Sequence, residues 1–344
     1  MAGILSIGWY LPAGRASVDQ VAAEYGVSAQ ALHAFGLRSK VVAEPGDHPT
    51  TLAARATAAA LAAADLTPSQ IDLLIFTGAT RDRPAPWIAA FGVLHELGAS
   101  SAAGFDLQGR CPGLADALWI ASTLIQGGSI ATVAVCTGDR FDHLFPALPG
   151  ESSIAQAVHA AGGAAAILGA RAGNEIVGRA HATRDDLSGH ATSSPAAGGS
   201  RWPLDRRALD ERAHTIQDAP TVAQIAELRD YFRRAEQANI EAVCRTAGFD
   251  GIDFITGSVL NANDQRESLA ALGIGPDKYL MMTPRYGYVG ASSALISIGN
   301  AIQEGRPVGP RLVMNLRTYV YCNAIAIRGA APDLGIRVSG PRYI

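Results

Sequence analysis

The chain has 344 residues, and its 28 basic against 31 acidic side chains leave a formal net charge of −3, which excludes charge-driven nucleic-acid binding as a default. With 48% hydrophobic and 17% charged residues it is too apolar to be disordered. Its longest apolar runs, such as residues 71–79, are strand-sized and far short of a membrane span.

Taken in chain order, the pattern alternates strands and helices. A strand is expected over Gly3–Ile7, a helix over the Ala-rich Thr50–Ala64, a buried strand over Ile71–Thr77 and a helix over Pro86–Leu97. Strand Ala103–Leu107, helix Pro112–Gln126 and strands Thr132–Cys136 and Gly163–Leu168 complete a first half. The second half repeats the order. Strand Glu175–Ala180 leads into a Ser-, Gly-, Asp- and Arg-rich stretch over 188–218 that reads as a loop or cap. An amphipathic helix over Val222–Arg245 follows, with Ile225, Leu228, Phe232, Ile240 and Val243 on one side. Then come strand Asp253–Ser258, helix Asp264–Leu272, strand Lys278–Met282, helix Val289–Gln303 and strands Arg311–Leu316 and Asn323–Arg328. The shared order, and the echo of Ile71–Gly78 in Ile252–Gly257, suggest two similar α/β halves, 1–170 and 171–344, stacked into a five-layer α/β/α/β/α body.

The four cysteines, Cys111, Cys136, Cys244 and Cys322, have neither CxxC nor Cys/His zinc spacing, so no metal or disulfide is expected. Residues 1–12 lack a basic n-region and a cleavage pattern, so a cytoplasmic location is expected. Chemistry centres on Gly104–Leu114. A strand ends at Leu107, a Gly-containing turn follows, and Cys111 opens a helix with Pro112 beside it. There the helix dipole favours a thiolate, and backbone N–H groups can face an oxyanion. From the spacing alone Cys111 is either a nucleophile or a cysteine that packs at a helix start. Gly36 and Gly162-Gly163 match neither a dinucleotide nor a Walker pattern. Arg201–Arg207 reads as a solvated loop or as a carrier contact, and Arg81 as a structural ion-pair partner.

Several pieces in order carry a resemblance: Ile4–Pro12, Phe35-Gly36-Leu37-Arg38, Leu73–Gly78, the Phe-Asp-x-x-x-x-Cys-x-Gly motif at 105–113, and Ala161–Ala165. With these the chain resembles the β-ketoacyl-ACP synthase III family of the thiolase superfamily. The resemblance implies a thiolase-like fold, Cys111 as the acyl-accepting nucleophile, and an acyl-CoA or acyl-carrier protein (a CoA or phosphopantetheine thioester) as substrate, with no permanently bound cofactor. It also implies a dimer through Ala103–Leu107, formed with a second copy or with a related thiolase-fold subunit, and no nucleic-acid or membrane partner.

The second half departs from the family pattern. Ser258 stands where the family places the histidine of a His-Gln-Ala-Asn motif, with Asn261 as the matching pocket asparagine, and Tyr288 replaces the asparagine of a Gly-Asn motif. All eight histidines precede that region, the last being His214, so no small shift restores one. A Gly-rich oxyanion segment reads Arg317-Thr318-Tyr319 here, and the carrier-docking basic residue aligns with Asn263, near Arg266. Arg38 and Arg266 are the candidate CoA or carrier contacts. His143 and His159 share the half with Cys111, His181 lies just beyond it, and all three read as surface or structural. The expected function is a ketosynthase III-like acyltransferase with a non-standard active site. It would work through a Cys111 thioester in fatty-acid, polyketide or other secondary metabolism. The alternative is a catalytically degenerate structural subunit of a thiolase-fold complex.

Overall fold

The structure, a computed structural model, describes residues 2–83, 86–143, 147, 153–187, 222–318, 320–330 and 332–341. The stretch 188–218 therefore lies outside the described residues, as does Arg201–Arg207. Strand β1 (Gly3–Tyr10) is followed by the short β2 (Gly14–Ser17), helices α1 (Val18–Tyr25) and α2 (Ala29–Ala34), β3 (Ser39–Val42) and α3 (Pro49–Ala64). Next come β4 (Leu73–Phe76), α4 (Ala89–Leu97), β5 (Ala103–Asp106), α5 (Arg110–Gln126), β6 (Thr132–Arg140), α6 (Ile154–Val158) and β7 (Ala161–Gly169). The remainder is β8 (Asn174–Thr183), α7 (Val222–Ala247), β9 (Phe254–Gly257), α8 (Ala262–Ala271), α9 (Thr283–Tyr286), α10 (Ser292–Gln303), β10 (Arg311–Arg317), β11 (Tyr321–Gly329) and β12 (Arg337–Ser339).

Two main sheets organise these elements. The first has the order β12-β1-β7-β6-β4-β5 and the second β8-β11-β10-β9. In the first, β6, β4 and β5 run parallel, whereas β7 is antiparallel to both β1 and β6. Parallel strands with buried faces read as continuous apolar runs, and Leu73–Phe76 and, within β6, residues 133–136 do so. Helices α3 and α4 cover the outer face of this sheet through a core that includes Ala53, Leu61, Leu74, Phe76 and Val93. On the far side, α7 and α8 cover the second sheet through Ile240, Val243, Ile255, Leu269 and Val313. Between the sheets, α5 and α10 contribute Leu114, Leu118, Leu295 and Ile298 to the largest core. The result is the five-layer α/β/α/β/α arrangement. No helix among the described residues is long and apolar enough to cross a membrane.

Two sequence expectations need correction. Lys278–Met282 is not a strand: Pro276 opens a single 3₁₀ turn over Pro276–Lys278, and Leu280 and Met282 are buried in irregular chain leading into α9. The apolar content there serves the core without a ladder. The last long helix also starts at Ser292 instead of Val289, because Gly290 takes φ 61° and Tyr288 makes a β-bridge to His159.

Candidate active site

Helix α5 begins where β5 ends. Gly109 is its N-cap, and Arg110 holds φ 50°, a left-handed conformation costing about 1–2 kcal/mol for a residue with a Cβ. Apart from Asp65 it is the one non-glycine among the described residues with positive φ. That turn sets Cys111 inward in the first turn of α5, where it is 8% exposed. The helix is fixed from the second sheet. Asn323 Nδ2 on β11 donates to the Pro112 carbonyl at 2.9 Å and to Asp116 Oδ1 at 3.0 Å. The same Asp116 oxygen accepts from Arg179 Nη2 at 2.7 Å and from the Tyr321 hydroxyl at 3.2 Å. Polar side chains of one sheet thus hold the nucleophile-bearing helix against the other.

Tyr288 reaches Cys111 directly, with its hydroxyl oxygen 2.8 Å from Sγ. Its main chain is pinned to the segment before β7: Tyr288 N–H donates to Val158 O at 2.8 Å, and Ala160 N–H donates to Tyr288 O at 2.9 Å. The preceding Gly287, at φ 76°, is required, since a Cβ there would lie 2.9 Å from the Val158 carbonyl oxygen. His159, the bridge partner, stands perpendicular to the Tyr288 ring with centroids 5.0 Å apart, and Phe141 lies near parallel at 6.1 Å. Phe141 and His159 also meet edge-on at 4.7 Å. The three rings form a clamp around the phenol.

Ser258 follows β9 and is 8% exposed, and its Oγ makes no hydrogen bond. The hydroxyl is nonetheless near enough to Cys111 and Tyr288 to favour the ionised form of each. A buried hydroxyl without a partner is costly, so this oxygen is open to a substrate group. Asp139, at the end of β6, lies behind the pair. Its Oδ1 accepts from the Ala79 and Thr80 amides at 2.7 and 2.8 Å, whereas its Oδ2 has no partner and faces Gly290, where a Cβ would come within 2.6 Å.

Burial dominates the electrostatics. It pushes the Cys111 thiol up to about 11, and the hydrogen bond from Tyr288 only partly offsets that. The thiolate expected from the helix dipole is therefore not the resting form, because a dry site penalises an isolated charge more than one helix end favours it. Burial likewise raises the Tyr288 phenol well above 10, with the neighbouring thiol adding to the shift. His159 is lowered to about 4, again chiefly by burial. Its Nδ1 donates to the Ala155 carbonyl at 2.6 Å, which fixes the tautomer because a carbonyl only accepts.

The other candidates fall at the rim or away from it. Asn261 is the N-cap of α8, its Oδ1 accepting from the Asn263 and Asp264 amides at 3.1 and 3.2 Å, so its side chain serves the helix. Arg38 and Arg266 are both exposed. They border one seam, in which Ala262 N–H donates to Phe35 O at 3.0 Å, Asn263 Nδ2 donates to Ala34 O at 2.7 Å and Arg266 donates to Asn263. Arg81 pairs with Asp106 at 3.2 Å, as a structural ion pair should. His181 lies on β8 beside Tyr321, and the side chain of His143 is outside the described residues. His159, which reads as surface or structural in the sequence, is placed by the fold against the site. Its signal was its position just before the Gly-rich strand.

The family model for 3-oxoacyl-[acyl-carrier-protein] synthase III matches residues 105–185, a span that includes Cys111 and His159. A β-ketoacyl-[acyl-carrier-protein] synthase III of Symbiobacterium thermophilum is 29% identical over 285 residues, covering 79% of this chain and 80% of that one. Among solved structures, the 3-oxoacyl-[acyl-carrier-protein] synthase III of Aquifex aeolicus superposes with a TM-score of 0.80 at 19% identity, covering 95% of this chain and 100% of the other. OleA of Xanthomonas campestris, crystallised with bound lauric acid and lauroyl-CoA, gives 0.79 at 14% identity, covering 95% and 98%. These likenesses define a protein of the thiolase fold. Over most of its length the chain is similar to β-ketoacyl-ACP synthase III proteins.

Proposed function

We propose that this chain is a thiolase-fold acyltransferase of fatty-acid or related metabolism that accepts an acyl group on Cys111 from acyl-CoA or an acyl-carrier protein. The observation that carries this reading is the triplet at the start of α5: a buried thiol, a hydroxyl 2.8 Å from its sulfur, and a second buried hydroxyl, on Ser258, with no partner. A thioester carbonyl placed on Sγ would find Ser258 Oγ as a hydrogen-bond donor for its oxygen as negative charge develops there. Arg38 and Arg266, exposed on one rim, are suited to the phosphates of CoA or a phosphopantetheine arm.

Decarboxylative condensation asks for more. An enolate must be held while CO₂ leaves, and the family pattern uses a histidine and an asparagine for that. Here Ser258 and Tyr288 stand in their places, and losing one oxyanion donor typically costs about 10²–10³ in rate. Transfer to an oxygen or nitrogen nucleophile needs no enolate and suits the residues present. Polyketide or other secondary metabolism is the natural setting for such a transferase.

A second reading has its own support. Tyr288 fills the space beside the thiol, and burial keeps that thiol protonated, as expected of a structural subunit whose chemistry has been shut down. One experiment separates the two. After incubation with a panel of acyl-CoAs and acyl-carriers, the intact mass of the wild type should rise by one acyl group, and that of Cys111→Ala should not. If no donor leaves an adduct, the structural reading stands.

A further inference from the structure

We infer that Tyr288 is the proton shuttle of this site, and that the acyl group consequently passes between protic partners: a thioester donor that leaves as a thiol, and an acceptor carrying an N–H or O–H. The inference rests on the reading of Cys111 as the acyl carrier and adds how its proton moves and what class of acceptor follows.

The geometry supplies the route. Tyr288 Oη lies 2.8 Å from Sγ, and it can both accept the thiol proton and give up its own. The clamp of His159 and Phe141, with the two main-chain bonds to Val158 and Ala160, holds the phenol in that position. Ser258 Oγ, more than nine-tenths buried, lies close to both the thiol and the phenol and favours the ionised form of each.

Electrostatics disfavour the stepwise alternative. Forming a free thiolate places charge in a dry site, beside a buried carboxyl at Asp139 that opposes ionisation of both Cys111 and Tyr288. A concerted exchange avoids that charge. In acylation, a lone pair of Sγ forms the bond to the thioester carbon and the thiol proton moves to Tyr288 Oη. The Tyr288 proton moves to the donor sulfur as that sulfur leaves with the pair from its broken C–S bond. The products are Cys111 thioester and free thiol, and Tyr288 ends neutral.

Transfer runs the same exchange in the opposite sense. The acceptor nitrogen or oxygen bonds to the acyl carbon and its proton passes to Tyr288. The phenol proton goes to Sγ as the Cys111 thioester breaks. A decarboxylated malonyl carbanion has no such proton to give. It would draw the proton from Tyr288 to Sγ and strand a phenolate beside Asp139. The shuttle therefore selects amine or hydroxyl acceptors and disfavours carbon acceptors.

The test is the pH profile of Cys111 acylation by hexanoyl-CoA, followed as CoA release and intact mass, in wild type and Tyr288→Phe. Thiol and phenol both stay protonated from pH 6 to 8, so the wild-type rate should be nearly flat. Tyr288→Phe must react through the scarce thiolate, so its rate should climb about tenfold per pH unit and lie at least about tenfold below wild type at pH 6. In D₂O the wild-type step should slow about twofold or more, a readout that needs no variant. Once acylated, the wild type should discharge to ethanolamine and form no β-ketoacyl product with malonyl-CoA. Equal rates and profiles in the two proteins, no solvent isotope effect, or a ketoacyl product would each overturn the shuttle. An adduct that survives those failures leaves the acyl-carrier reading standing, whereas no wild-type adduct at all defeats both.

Discussion

Lys40 illustrates how a single residue can carry a pH dependence away from the site. It is 5% exposed on β3, and its Nζ donates to the Tyr25 hydroxyl at 3.2 Å and to the Ala157 carbonyl at 3.0 Å, close to the Tyr25 ring. Burial lowers it from 10.5 to about 8, although Glu24 and Asp142 act in the other direction. Below pH 8 folded and unfolded chains both hold the proton, at a cost to the fold. Between pH 8 and 10.5 the unfolded chain keeps a proton that the folded chain has released, so this group's contribution to stability rises with pH. Denaturant titrations of wild type and Lys40→Met should therefore diverge across that window. Wild type should gain up to a few kcal/mol relative to the variant, at roughly 1.4 kcal/mol per unit of pKa shift. A constant difference would show that Lys40 does not titrate there. The residue scale also shows what sequence spacing conveys. The motif around 105–113 singles out Cys111, and the departures at 258 and 288 are visible in the sequence. The protonation of the thiol is not, because it depends on burial assembled from both sheets.

At the scale of elements, α3 lies unusually close to the first sheet. Three strand glycines make this possible. A Cβ on Gly8 would lie 2.4 Å from the Ala56 carbonyl oxygen, one on Gly138 2.1 Å from that of Pro49, and one on Gly163 2.3 Å from that of Leu52. Each obstacle is helix backbone, which cannot turn aside as a side chain can. Gly138→Ala should therefore lower stability by about 1–3 kcal/mol, read as a drop in the denaturation midpoint at unchanged slope. No loss would mean that α3 moves outward at little cost. The Ala-rich run that forms α3 was plain in the sequence, since small residues at helix positions suit both propensity and close packing. β2, β3 and β12 were not, because strands of three or four residues have too few alternations to show a period.

For the whole molecule, the open question is what covers the β5 edge. β5 ends the first sheet, and Phe105 on it is 38% exposed, with Ile88 and Phe91 nearby at 40% and 52%. An unpaired strand edge flanked by exposed aromatic surface is an aggregation hazard unless another chain takes it. We expect a second copy of this chain, or a related subunit, to pair there. Light scattering at micromolar concentration should give a dimer, and Phe105→Lys with Phe91→Lys should shift it to monomer. A monomeric wild type would remove this expectation. The architecture as a whole was legible because strand–helix order survives where identity is low. The path of the final strand was not, since nothing local in Arg337–Ser339 says which sheet it will join.

That path has a consequence for how the protein is made. Arg337, Val338 and Ser339 pair in parallel with Ser6, Ile7 and Gly8, and Gly340 lies directly against the Trp9 indole. A ribosome delivers Gly3–Tyr10 long before Arg337–Ser339. At about 5–20 residues per second, the first sheet therefore waits roughly ten to thirty seconds after β7 emerges before its outer strand exists. During that interval one flank of β1 is open to any passing strand, so the nascent chain needs shelter long after most of its N-terminal sheet could have formed.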